Sequence, residues 1–107
     1  MIRTTVLEAQ LDPAKRTASV EIRRIQMPSD CVAGEHIHNC PVVGSIVEGS
    51  VTFQVKGEPE VVLRPGDVFF EPEGVSISRF DAGSDGATFL GYFLLGIGEK
   101  PELSYLD

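Results

Sequence analysis

Helical periodicity is missing from this chain, and that absence limits the fold more than any other feature. No segment of a dozen or more residues carries apolar side chains at helical spacing, whereas short runs rich in Val, Ile, Phe and Thr recur between Gly and Pro. In "SVTFQVK", Val51, Phe53 and Val55 alternate with polar residues, as in a strand with one buried face. We therefore expect an all-β fold of about eight or nine short strands, either a sandwich or a barrel.

Turn signals divide these runs into candidate strands. A "DPAK" turn closes a first strand over "TTVLEAQL", and the phase change between Ile22 and Ile25 in "ASVEIRRIQM" predicts a β-bulge. Glu48-Gly49 is predicted as a turn, and the loop "AGSDG" is predicted to separate the strands "VSISRFD" and "ATFLGYFLL". The tail "GIGEKPELSYLD" has no clear period.

Length and composition indicate one folded domain. The 107 residues are 42% apolar and 23% charged, which is ordinary for a soluble globular protein. A formal charge of −7 disfavours nucleic acid and anionic membrane surfaces as partners. The N-terminal "MIRTTVLEAQ" lacks a signal-peptide core and no apolar run is long enough for a membrane span, so we expect a cytoplasmic protein. Cys31 and Cys40 lack CxxC spacing and are predicted to be reduced thiols.

Two histidines, His36 and His38, lie one residue apart in "GEHIHNCPVVGSIVEG". Because strand side chains alternate, both imidazoles project to the same side, as two ligands of one ion must. Two protein ligands seldom hold a transition metal firmly, so a third donor is needed. Cys40 continues the same parity and would favour zinc, but the outer Cα atoms of such a triad would lie roughly 13 Å apart at about 3.3 Å per residue.

The stretch from His36 to Asp81 resembles the two signature motifs of the cupin superfamily. His36, His38 and Gly49 match the first motif, His-x-His followed by Glu and Gly, while Gly66, Pro72 and Gly74 match the second at the family spacing. The resemblance implies an all-β double-stranded β-helix, the cupin jelly-roll barrel of two antiparallel sheets. It also implies that His36 and His38 are metal ligands.

The same comparison identifies departures from the family pattern. Val42 stands where the family has its Glu, and Ile77 stands where it has its third His. Two of the four expected ligands are therefore replaced by hydrocarbon. Asp81 takes the Asn position, and the Gly that usually opens the first motif would fall at Asp30.

The resemblance also implies how the domain is organised. Residues 1–107 form a single cupin domain, with N-terminal strands in 1–30, a barrel core in 34–95 and a C-terminal tail in 96–107. Small cupins often pair through a sheet and exchange an N-terminal strand, so a homodimer is expected.

The remaining donors do not fit the family positions. Glu48, Glu71 and Asp81 carry carboxylates, but none stands where cupins place a ligand. Glu71 follows "DVFF" and precedes Pro72, where a solvated strand end is expected.

Further side chains are candidates for the cavity wall. Val42 and Ile77 would make the cavity more apolar, and the resulting desolvation would lower the imidazole pKa values and keep both histidines neutral near pH 7. Arg79 shares the parity of Ile77, so it either holds a ligand carboxylate at the mouth or is a surface arginine paired with Asp81 or Glu71. Tyr92 is either a cavity hydrogen-bond donor or a core residue.

Three functions remain open on these grounds. The leading one is a small-molecule-binding protein with a reduced or lost metal centre, whose ligand contacts His36, His38, Val42, Ile77, Arg79 and Tyr92. The alternative is a metal-dependent enzyme, such as an oxygenase or isomerase, in which His36, His38 and a further donor hold a divalent transition metal (Zn, Fe, Mn or Ni). The third is an interaction module that binds through a face outside the barrel.

Overall fold

The structure, a computed structural model, describes residues 1–106. It contains seven strands: β1 (Ser19–Met27), β2 (His36–His38), β3 (Val42–Val55), β4 (Val61–Leu63), β5 (Val68–Glu71), β6 (Ser76–Leu95) and β7 (Leu103–Tyr105). The predicted all-β class is confirmed. Among residues 1–106, no helix is long and apolar enough to cross a membrane.

The two longest strands, β3 and β6, run through both layers of the fold. The first half of β3 pairs with the second half of β6, and β5 and β1 flank this pair. The other halves of β3 and β6 also pair, with β4 on one side and β2 followed by β7 on the other. All of these pairings are antiparallel, so two antiparallel sheets share two bent strands, as the jelly-roll prediction requires.

Strands β3 and β6 bend at the two places where the sequence predicted a turn and a loop. The β3–β6 register shifts between Ile46 and Glu48 and again between Gly49 and Val51. Gly49 and Gly86 face each other there with φ of 75° and 74°, and a Cβ on Gly49 would lie 2.0 Å from the Gly86 carbonyl oxygen. Only glycine fits such an approach. The predicted turn at Glu48-Gly49 and the predicted loop "AGSDG" are therefore corners inside continuous strands.

Strand β1 shows that the predicted β-bulge is wrong. Its register with β6 is unbroken over all nine residues. Ile25 and Met27 pack against the core, whereas Val20 and Ile22 on the opposite face are 49% and 56% exposed. The apparent phase change therefore arises because apolar side chains occupy both faces of a regular strand.

The two ends of the chain also differ from the sequence-based expectation. The predicted strand over "TTVLEAQL" is absent, because nothing in residues 19–106 forms a ladder with it. Lys15, which follows this segment, places its Nζ 3.1 Å from a Glu73 carboxylate oxygen and in contact with Glu99. The C-terminal tail contributes β7, which pairs with β2. Exchange of the N-terminal segment in a dimer stays a prediction.

Four phenylalanines fill the space between the sheets. The rings of Phe53, Phe69, Phe80 and Phe89 contact one another with centroid distances of 4.8–6.0 Å, mostly in edge-to-face or tilted arrangements. Such pairs contribute about 0.5–1.5 kcal/mol each beyond the area they bury.

Candidate metal centre

A cavity of about 290 Å³ lies between the sheets beside β2. Strands β1 and β6 supply much of its apolar wall, including Ile25, Phe89 and Phe93. Its polar lining consists of Arg23, His36, His38, Glu71, Glu102 and Tyr105. The predicted histidine pair therefore faces a cavity.

Three buried side chains converge in this cavity. His36, His38 and Glu71 each offer one ligand atom, and these atoms lie within 4.8 Å of one another. A carboxylate oxygen of Glu71 is 3.6 Å from Nε2 of His36 and contacts Nε2 of His38 directly. Two imidazole nitrogens and one carboxylate oxygen suit zinc and iron, and three protein ligands leave coordination positions open. The residues present therefore fit a divalent transition metal.

A backbone contact fixes the imidazole of His36. Its Nδ1 is 2.7 Å from the Gly34 carbonyl oxygen. A carbonyl only accepts, so Nδ1–H must be the donor, and in the neutral ring Nε2 keeps its lone pair. Metal-binding histidines are commonly oriented in this way by a partner on the second ring nitrogen. Whenever the ring of His36 is neutral, it is therefore the tautomer that presents the Nε2 lone pair towards Glu71.

Glu71 is the residue that the sequence-based prediction misplaced. Its side chain is buried, with only 3% of the residue exposed, so the expected solvated strand end is wrong. Phe69 and Glu71 alternate onto the same inner face of β5, and the antiparallel register sets Glu71 directly opposite Val42. The third donor therefore comes from the strand beside the family's Glu position. The alternation in "VFFE" indicates that Phe69 and Glu71 share a face, but the sequence alone does not show that Glu71 pairs with Val42.

Electrostatics in the cluster reverse the predicted direction of the pKa shift of His36. Burial by itself lowers the pKa of His36, but the Glu71 carboxylate and the Gly34 carbonyl outweigh it, so the pKa is raised. Burial by itself raises the pKa of Glu71, but the two imidazoles outweigh it, so the pKa is lowered. The predicted lowering of the His36 pKa is therefore wrong, because the charged Glu71 carboxylate lies beside the ring and offsets the desolvation.

Cys40 does not join the cluster. Strand β2 ends at His38 and the chain bends at residues 39–40 before Pro41, so the strand alternation does not reach Cys40. The thiol lies in the apolar core, where burial raises its pKa. It is absent from the cavity lining among the described residues, and the His-His-Cys hypothesis is not supported.

Four residues predicted to contact a ligand lie outside the cavity lining. Val42 and Ile77 are buried in the apolar core. Arg79 is exposed and pairs with Glu60 at 2.8 Å and with Asp81 at 3.5 Å, because the β3–β6 register shifts just before it and reverses its face relative to Ile77. Arg79 is thus the surface arginine of the second interpretation.

Tyr92 lies on the outer face of β6, opposite Val43 and Ile22. With Leu7 and Val43 it lines a shallow outer depression. Neither the cavity donor nor the core residue that the sequence predicted is found there.

Comparisons with known proteins identify the fold. No family model and no curated relative matches the chain. Among solved structures, the DMSP lyase DddQ from Ruegeria pomeroyi matches with a TM-score of 0.68 and 23% identity, over 78% of this chain and 42% of that one. An oxalate oxidase in complex with the substrate analogue glycolate matches with a TM-score of 0.69 and 20% identity, over 81% and 46%.

A third solved structure is closer in size. An RmlC-like cupin from Shewanella frigidimarina matches with a TM-score of 0.63 and 24% identity, over 74% of this chain and 68% of that one. By contrast, the chain spans less than half the length of the lyase and oxidase structures. At these identities the similarity is one of fold. The chain therefore has the fold of the cupin superfamily, as its histidine, glycine and proline spacing predicted.

Proposed function

We propose that this protein is a metal-dependent enzyme of the cupin fold. His36, His38 and Glu71 hold a divalent transition metal, and a small organic molecule in the adjoining cavity is the substrate. The observation that carries the proposal is the buried carboxylate of Glu71, placed within reach of both imidazoles. A buried carboxylate needs a cationic partner, because burying an isolated charge is very costly. A divalent cation bound by all three side chains meets that need.

The chain's own residues prepare this site for catalysis more than for a structural role. Structural zinc sites use four protein ligands, whereas three ligands leave room for water or substrate. The bound metal would supply Lewis-acid or redox chemistry. Gly34 holds His36 in the tautomer with a free Nε2, and the apolar wall formed by residues such as Phe89 and Phe93 limits water around the reacting group.

The second candidate function is a ligand-binding protein without a metal. It is favoured by the direct contact between His38 and Glu71. An Nε2–H of His38 in that contact would donate a charge-assisted hydrogen bond to the carboxylate. Under this alternative the cavity binds a small molecule and the histidine pair contributes only polarity.

Metal analysis of untagged protein separates the two candidates. The protein is incubated in turn with Zn, Fe(II), Mn and Ni, freed of excess ion, and analysed by inductively coupled plasma mass spectrometry. We expect about one bound ion per chain for at least one of these metals. The His36→Ala/His38→Ala variant should bind almost none, since the sequence contains two histidines and no other imidazole can substitute.

Circular dichroism of the double variant serves as the folding control. Wild-type protein that takes up none of the four metals would contradict the proposal and support the metal-free candidate. Metal retained by the folded double variant would show that the ion lies elsewhere.

A further inference from the structure

Arg23 is the one arginine or lysine among the described residues that line the cavity. It shares the inner face of β1 with Ile25 and Met27, and its cross-strand neighbour is Gly91, over which the Phe93 ring packs. The guanidinium carbon lies 5.1 Å from the centroid of the Phe93 ring, and that ring lies 6.1 Å from the ring of His38. One phenyl ring therefore separates a fixed cation from the metal-binding cluster.

The guanidinium of Arg23 has N–H donors that the contact with Glu21 does not use. Within residues 1–106 its recorded polar contact runs from Nε to the carboxylate of Glu21. The two terminal nitrogens carry four further N–H donors, the pattern that pairs with a carboxylate through two parallel hydrogen bonds. The side chain is 47% exposed, so a ligand entering from solvent can reach it.

The charge and size of the cavity restrict what it can take. A divalent metal on Glu71 and two neutral imidazoles carries one net positive charge, and Arg23 adds a second. Two carboxylates oppose this charge: Glu21, which contacts only Nε of Arg23, and Glu102, which is exposed on the tail segment. A volume of about 290 Å³ lies at the lower end of the range for ligand pockets. The wall beside Arg23 is largely apolar and aromatic.

We propose that Arg23 makes this cavity selective for small organic carboxylates. The carboxylate pairs with the terminal nitrogens of Arg23, and the apolar body of the acid lies against Phe93 and its neighbours, directed towards the metal. Arg23 is a substrate-binding residue that selects the acid over neutral analogues. This inference rests on the proposed function for the metal, but the contact with Arg23 does not require the metal.

The test compares each acid with its neutral amide. Binding of benzoate, phenylacetate and pentanoate, and of the three corresponding primary amides, is measured by isothermal titration calorimetry on the zinc-treated protein and on chelator-treated protein. Zinc is chosen because it has no redox chemistry. We expect at least one acid to bind the wild type roughly 10-fold more tightly than its amide, as a partly exposed charge-assisted pair predicts.

Variants on the same strand locate the contact. In Arg23→Gln the preference for the acid should fall to about twofold or less, and in Arg23→Lys it should be intermediate because the charge remains but the paired geometry is lost. Arg24→Gln is the matched control, since Arg24 is the next residue on β1 and faces away from the cavity opposite Leu90. It should keep the full preference.

Two results would overturn the inference: no acid preferred over its amide by the wild type, or a preference that survives in Arg23→Gln. The second result with zinc present would place the carboxylate on the metal instead. If the protein binds no zinc, the proposed function fails, and the titrations of metal-free protein still decide the role of Arg23.

Discussion

Replacing Glu71 with glutamine tests the metal centre most directly. Glutamine keeps the size of the side chain, so the main change is loss of a negative charge at a residue that is 3% exposed. Removing one partner from a buried, hydrogen-bonded charge cluster costs about 3–5 kcal/mol. At about 1.4 kcal/mol per tenfold change in Kd, zinc affinity should fall at least about 100-fold.

The assay is competition for zinc against a chromophoric chelator at pH 7.5. Glu73→Gln is the matched control, because Glu73 lies two residues further along, its side chain is 32% exposed, and it contacts Lys15 instead of the histidines. Its zinc affinity should stay within about threefold of wild type, since an exposed ion pair contributes little. Wild-type affinity in Glu71→Gln, or an equal loss in both variants, would refute the reasoning.

Three further predictions follow from the cluster and the outer sheet face. In metal-free protein the pairing of His36 with Glu71 stabilises the fold fully between about pH 4.5 and 6.5. The contribution of Glu71 is lost as pH falls through its lowered pKa. The contribution of His36 is lost as pH rises through its raised pKa. The difference in unfolding free energy between wild type and Glu71→Gln, from urea titrations, should therefore be larger at pH 5.5 than at pH 8.5, and a pH-independent difference would contradict the assignment. Cys40→Ser should leave zinc affinity unchanged while lowering the unfolding free energy by about 1–3 kcal/mol, because a hydroxyl replaces a fully buried thiol; weakened zinc binding in the folded variant would return Cys40 to the site. We expect a homodimer formed through the exposed apolar outer face of β1. Light scattering should give twice the chain mass for wild type and the single chain mass for Ile22→Lys. A monomeric wild type would rule the dimer out.

The fold could be predicted because its signals are local. Alternating residues such as Val51, Phe53 and Val55 mark a buried strand face, and the histidine, glycine and proline spacing matches the family pattern. What local signals do not give is whether a glycine turns the chain or bends a strand. Gly49 and Gly86 bend two strands against each other, and that outcome depends on their contact across the sheet.

The candidate site could be predicted only in part, for the same reason. His36 and His38 belong to one strand, so parity alone places them together. The parity of Ile77 made a cavity position one of two alternatives for Arg79, and a register shift between the two residues reverses its face. Arg23 was overlooked because the two-sided apolar pattern of β1 was taken for a bulge.

The pairing of Val42 with Glu71 shows how a carboxylate can lie beside the two histidines although the family's glutamate position holds a hydrocarbon side chain. Residues directly opposite on neighbouring strands carry their Cβ atoms about 5 Å apart, so a long side chain at either position reaches the same volume. The position of the family's glutamate is itself occupied by Val42. Glu71, directly opposite Val42 on the neighbouring strand, supplies one carboxylate to the two histidines.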